Sequence, residues 1–183
     1  MNMLRKLLPG TMALCVGLAL AAASVHAAPG AQRVGKQAAA QGAVRCLATS
    51  SRDNAMGAEA TSTARRARGL PPVRANAKLA EAAARHACDM ARRGIMSHRG
   101  SGTAGPGQRV RAAGYAPRIT AENIAAGPFS QASVHAAWEA SRGHLANILI
   151  PEIRDYGVGR AIGADGKTEY WAAVYGAPRG HRR

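Results

Sequence analysis

The sequence predicts an α+β layered domain rather than a parallel βαβ fold. Three observations carry this. One segment, residues 77 to 93, has a strong helical apolar stripe with a cap at each end. Two strand-like runs, Tyr156 to Ile162 and Glu169 to Tyr175, flank the hairpin connection Gly163-Ala164-Asp165-Gly166. The other helical segments fall before and between short strands instead of alternating regularly with them.

Along the chain, a cationic start (Arg5, Lys6) precedes an Ala/Leu-rich run from Leu7 to Ala23. The small-residue ending Ser24-Val25-His26-Ala27 marks residues 1–27 as a secretory signal cleaved after Ala27. The run is short for a membrane span and contains Pro9 and Gly10. Residues 28–45, rich in Ala, Gly and Gln, lack apolar periodicity and read as a flexible leader. Order is expected to begin near Cys46, opening a domain over residues 46–177. Asn54 to Arg68 reads as a first helix, stopped by Gly69-Leu70-Pro71-Pro72, although its apolar face is only Met56 and alanines.

Asn76 caps the second helix, which runs to Arg93 with Gly94 just past its end. Leu79, Ala82, Ala83, His86, Ala87 and Met90 form its buried stripe, which places His86 on an apolar face. Residues 97–107 form a glycine-rich loop, and a short helix from Gln108 to Ala113 ends at Gly114. Glu122 to Ala126 is extended. Ser130 to Ser141 is helical, with Val134, Ala137 and Trp138 facing inward. A turn-rich stretch follows Gly143 to about Asp155 and leads into the two closing strands. Residues 178–183 are a basic tail.

The chain has 183 residues with 25 Lys/Arg against 10 Asp/Glu, a net charge of +15. Loss of residues 1–27 would remove two cations and no acid, leaving 156 residues at +13. That length suits one domain with its own core. Such a charge favours anionic envelope components as partners. Nucleic acid is not expected, because aromatic residues make up only 4% of the chain and no recognition motif is present. Two cysteines, Cys46 and Cys88, lie beyond the signal. In an oxidising compartment they imply one disulfide, which closes a loop of about 43 residues and is worth about 4 kcal/mol in the chain-entropy model.

Three short segments hold residue types suited to chemistry: Ser97-His98-Arg99-Gly100-Ser101, Ala121-Glu122-Asn123-Ile124-Ala125, and Trp138-x-x-Ser141-x-x-His144-x-x-Asn147-Ile148-Leu149. Two neutral imidazoles can hold Zn2+ or another divalent cation; that His98 and His144 supply them together, beside Glu122, is what the family resemblance given below implies. The carboxyl of Glu122 would serve as third ligand or as orienting partner. So few protein ligands make binding weak and reversible, and it falls as the histidines protonate. No GxSxG or HExxH motif supplies a hydrolase nucleophile or zincin site. Taken singly, the same residues admit plainer roles: His98 solvated in its loop, His144 capping a turn, Glu122 a buried acid holding amides near Asn123. His86 reads as a hydrogen-bonded core residue and Trp138 and Trp171 as core anchors. His135, His181 and the arginine runs read as solvated.

With these segments the chain resembles the bacterial branch of the CAP superfamily, which also holds cysteine-rich secretory proteins, venom allergens and plant pathogenesis-related proteins. The resemblance runs from about Asn54 to Gly176. Arg65 with Gly69-Leu70-Pro71-Pro72, Leu79 through Met90, Ala113-Gly114-Tyr115, Gly157-Val158-Gly159 and Tyr170-Trp171 carry it further. It implies an α-β-α sandwich with a small antiparallel sheet and an open cleft lined by His98, His144 and Glu122, with Asn123, Ser141 and Asn147 in supporting positions. Ser141 stands where eukaryotic members have a second glutamate. Gly102 stands where the bacterial loop often has an aspartate. The implied function is a secreted or periplasmic binding and effector module, whose cleft holds a metal, lipid or glycan. The alternatives are a metal-assisted, peptidase-like hydrolase in which Glu122 activates water between the histidines, and a purely structural surface role.

Overall fold

The structure is a computed structural model and describes residues 42–180. The expected signal (1–27), the expected leader as far as residue 41 and residues 181–183 lie outside the described residues. No helix among the described residues is long and apolar enough to cross a membrane.

Among the described residues five strands and five helices alternate irregularly: β1 (Arg45–Leu47), α1 (Ser51–Arg66), β2 (Arg74–Ala75), α2 (Ala77–Arg93), α3 (Pro106–Ala112), β3 (Pro117–Gly127), α4 (Gln131–Ala140), α5 (Arg142–Ile148), β4 (Asp155–Ile162) and β5 (Glu169–Pro178). The sheet runs β1-β4-β5-β3 through antiparallel pairs, and the two residues of β2 add a parallel pairing to the start of β4. Side chains of β5 alternate between two cores, as the two-residue strand period requires. Tyr170, Ala172 and Val174 pack with Leu79, Met90 and Val110 of α2 and α3. Trp171, Ala173 and Tyr175 pack with Ala58, Trp138 and Ile148 of α1, α4 and α5. The architecture is therefore an α-β-α sandwich, in agreement with the sequence.

Local chemistry accounts for the boundaries. In α2 the Asn76 carboxamide oxygen accepts from Lys78 N (3.0 Å) and Leu79 N (3.2 Å), and Gly94 closes the helix at φ 63°. Its predicted stripe is buried as expected. Helix α1 starts earlier than the sequence suggested, because Ser50 accepts from Asp53 N at 3.0 Å and caps it. Its inner face is polar: Asn54, Thr61, Ser62 and Arg65 are buried. Arg65 replaces an acid partner with backbone carbonyls, donating to Pro71, Ile148, Ile150 and Ile153 at 2.7–3.2 Å. Those bonds tie α1 to the end of α5 and the turns beyond it. Helix α2 lies directly on β4 at two glycines, where a Cβ would sit 2.1 Å from Ala80 N (Gly157) or from Ala84 N (Gly159).

Cys46 of β1 and Cys88 of α2 are joined as a disulfide, with Cα atoms 5.0 Å apart. Four sequence expectations change. The stretch after Gly143, read as turn-rich, is helical up to Ile148 as part of α5. On α4 the inward residues are Val134, His135 and Trp138, while Ala137 is exposed. His135 is thus not solvated: its Nε2 lies 2.9 Å from the Tyr156 hydroxyl, and burial pulls its pKa down to about 4. The basic tail also begins later, since Pro178 completes β5 and Arg179 N donates to Ala116 O at 2.9 Å.

Candidate functional site

β3 is the outer strand beside β5, and its free edge is covered by side chains of the helical layer. Trp138 Nε1 donates to Ile124 O (3.3 Å), and Asn147 Nδ2 donates to Glu122 O (3.2 Å). Because Asn147 holds that edge from α5, the helix carrying His144 is fixed against the strand carrying Glu122. Asn123 completes the junction. Its Nδ2 donates to His144 O (3.1 Å) and to the Tyr175 hydroxyl (3.2 Å), and its Oδ1 accepts from Asn147 Nδ2 (2.9 Å). Ser141 ends α4 and begins α5, its carbonyl accepting from Leu145 N at 2.8 Å. Asn123 and Asn147 therefore hold backbone of the neighbouring elements in place, and Ser141 joins α4 to α5.

The glycine-rich loop presents His98 from the opposite side. Asp89 of α2 binds the loop at Ser101 N and Ser101 Oγ, and Arg93 donates both to Asp89 and to Arg99 O (2.8 Å). Gly100 is needed here, as a Cβ would lie 2.6 Å from Thr103 Oγ1. A carboxylate from the neighbouring helix thus steadies the loop that lacks an aspartate at position 102. Ser101 and the Asp89–Arg93 pair hold the Asp89 carboxyl below its ordinary range, against the effect of burial.

Glu122 forms the centre. Its side chain is 1% exposed, and each carboxylate oxygen is occupied. Oε2 accepts from Arg109 Nη2 at 2.6 Å, and Oε1 lies 2.9 Å from His98 Nδ1. Arg109, on α3, also donates to His98 O (3.1 Å) and Thr103 Oγ1 (3.0 Å), so one guanidinium fixes the acid and the loop together. A carboxylate facing Nδ1 selects the Nδ1–H tautomer and leaves the Nε2 lone pair of His98 free. The His98 side chain is 56% exposed, so that lone pair is reachable from solvent.

His144 is half-buried, and its Nδ1 is buried without a hydrogen-bond partner. Burial lowers its pKa first, and the nearby His98 charge lowers it further, so the neutral ring is favoured. Beneath them, His86 is fully buried with Nε2 3.7 Å from Glu122 Oε1. Neither of its ring nitrogens has a hydrogen-bond partner, so the expected hydrogen-bonded core histidine is not found. Burial lowers the His86 pKa, with Glu122 opposing and Arg109 adding to the shift. His86 also borders an open pocket of about 200 Å³ that Asp89, Ser101, Thr103 and Arg109 help to line.

The structure thus brings His98 and Glu122 into direct contact, with His144 on the facing helix. Sequence reasoning missed Arg109, Asp89 and the placement of His86. A buried glutamate demands a cation, but nothing in the spacing of residues 109 and 122 names which one. Among the described residues, no group of three or more His, Cys, Asp and Glu is arranged to hold a metal ion. What the donor set offers is two imidazoles, one of them oriented by a carboxylate whose oxygens are already used.

Comparison with known proteins agrees with this architecture. The family model of the cysteine-rich secretory protein family, CAP, matches residues 58–175. The YkwD protein of Bacillus subtilis (strain 168) is 31% identical over 101 residues, covering 55% of this chain and 39% of that protein. This chain therefore spans well under half the length of that relative. An outer surface protein of Borrelia burgdorferi superposes with a TM-score of 0.62 at 18% identity, over 72% of this chain and 96% of its own. An extracellular protein of Bacillus anthracis str. Ames containing an SCP domain gives a TM-score of 0.60 at 23% identity, over 68% of this chain and 40% of its own. These likenesses show a shared fold, and with the family model matched over more than half of its length the chain belongs to the cysteine-rich secretory protein (CAP) family.

Proposed function

We propose that this protein is an exported, secreted or periplasmic, binding and effector module. In this reading His98 and His144 take up a divalent cation such as Zn2+ weakly, and Glu122 orients His98. One observation carries the choice of binding over hydrolysis: Arg109 and His98 already occupy both oxygens of a carboxylate that is 1% exposed. To activate water, Glu122 would have to bring it to a carboxylate that is closed off from solvent and already paired on both oxygens. The donors fit a cation in a restricted sense. His98 has a free and exposed Nε2, and His144 a buried Nδ1 without a partner, favoured neutral by burial. A bound cation would supply open coordination positions for an oxygen-bearing group of a lipid or glycan partner. The net charge of +13 left once residues 1–27 are removed supports residence among anionic envelope components.

Zinc titration of the purified protein by calorimetry tests the reading. His98→Ala and His144→Ala should each abolish binding, while Glu122→Gln weakens it by about 10- to 100-fold, as loss of an orienting partner does. Lipid and glycan arrays should give signals that fall with salt. A chelator-sensitive hydrolysis abolished by Glu122→Gln would overturn the binding reading in favour of the enzyme.

A further inference from the structure

Three large apolar side chains are exposed among the described residues, and two of them are adjacent: Ile95 at 53% and Met96 at 54%, in the loop that leads directly to His98. Helix α2 ends there in a full Schellman arrangement, with Gly94 N donating to Ala91 O (3.3 Å) and Ile95 N to Met90 O (3.2 Å). In that motif the residue after the glycine commonly packs back on the helix. Here Ile95 stays 53% exposed and Met96 beside it 54%. Arg92 and Arg99 bracket the pair, both exposed and neither within ion-pair reach of an acid among the described residues. The acid close by, Asp89, is consumed by Arg93 and Ser101. The loop is held from behind by Arg93 and Arg109, so the tip is presented in one shape.

We infer that the segment from Arg92 to Arg99 docks on an anionic bilayer surface, Ile95 and Met96 entering the headgroup–acyl boundary while Arg92 and Arg99 meet lipid phosphates. Two half-exposed side chains are far too little area for a stable protein partner, which needs about 800 Å² on each side. A bilayer requires no matching shape, and apolar tips framed by arginines suit its interface. Docking this way places the rim of the His98 groove at the membrane surface. The inference is independent of metal binding, because the four side chains it uses, Arg92, Ile95, Met96 and Arg99, are not proposed ligands.

The test is cosedimentation of the purified protein with vesicles of about three parts phosphatidylcholine to one part phosphatidylglycerol, at low salt where surface attraction is strong. Ile95→Asn with Met96→Gln should weaken partitioning roughly thirtyfold, the share expected from the exposed halves of two apolar side chains. Arg92→Gln with Arg99→Gln should weaken it by a similar roughly thirtyfold factor. Met56→Gln, at the third exposed apolar side chain (53%), should change nothing. All variants share the same N-terminal residues, so differences among them report on the loop. Unchanged melting of each variant confirms that folding is intact. Equal binding to pure phosphatidylcholine overturns the inference, as does full binding by the Ile95/Met96 variant. So does a vesicle-free dimer that the same variant disperses, since a second copy would then cover the pair.

Discussion

Removing Arg109 should strand a buried charge. Its guanidinium lies 2.6 Å from Glu122 Oε2, with side-chain exposures of 7% and 1%. At those exposures solvent screens little, and breaking such a pair from one side costs about 3–5 kcal/mol. For a domain of this size the melting temperature of Arg109→Met should fall on the order of 10–15 °C. Glu122→Gln should recover much of that loss in the Arg109→Met background, because a neutral amide no longer needs a cation. The double variant is then about 2–3 kcal/mol more stable than the sum of the single changes. The assay is urea unfolding of the four proteins at neutral pH. Single-variant losses that add to within about 0.5 kcal/mol would refute the coupling, and with it the claim that Arg109 is what keeps Glu122 in place.

Long-range 15N–1H spectra should show His98 as the Nδ1–H tautomer, with the preference lost in Glu122→Gln; an Nε2–H ring in the unmodified protein contradicts the orienting role. His135, drawn down to about 4 by burial, binds a proton later than it does in the unfolded chain. Stability from this group is present above pH 6.5 and lost as pH falls towards 4, by about 3 kcal/mol over the window. Denaturant melts of the protein and of His135→Gln across that range should diverge by that order. Gly159→Ala drives a Cβ into Ala84 N and should cost more than about 3 kcal/mol, whereas Gly102→Ala, with nothing within 4 Å, should be nearly silent in the same thermal melts. Reducing Cys46–Cys88 should destabilise the domain by about 4 kcal/mol, read as a lower urea midpoint in the presence of reductant.

What could be read from the sequence was local. Helix α2 carries its own cap, stop and stripe within residues 76–94, so its ends and its buried face were both legible. The β4–β5 hairpin was legible for the same reason. Helix α1 was only half legible, because its inner face is Asn54, Thr61, Ser62 and Arg65, whose burial is satisfied by groups up to 88 residues away and leaves no apolar period. Helix α5 escaped because its seven residues bury only Ile148 and owe their position to Arg65 and Asn147. His135 escaped because its environment is made by Tyr156 of β4, which meets it only in the folded sheet. The site divides along the same line. His98, Glu122 and His144 were visible as residue types in recognisable segments. Arg109, which decides what Glu122 can do, gave no signal, since its fork reaches the acid only after α3 and β3 have packed. The residue that tips the reading from hydrolysis towards binding is therefore the one the sequence conceals: a chain with His98, Glu122 and His144 but no cation at position 109 would present the same motifs with a carboxylate free to take a proton.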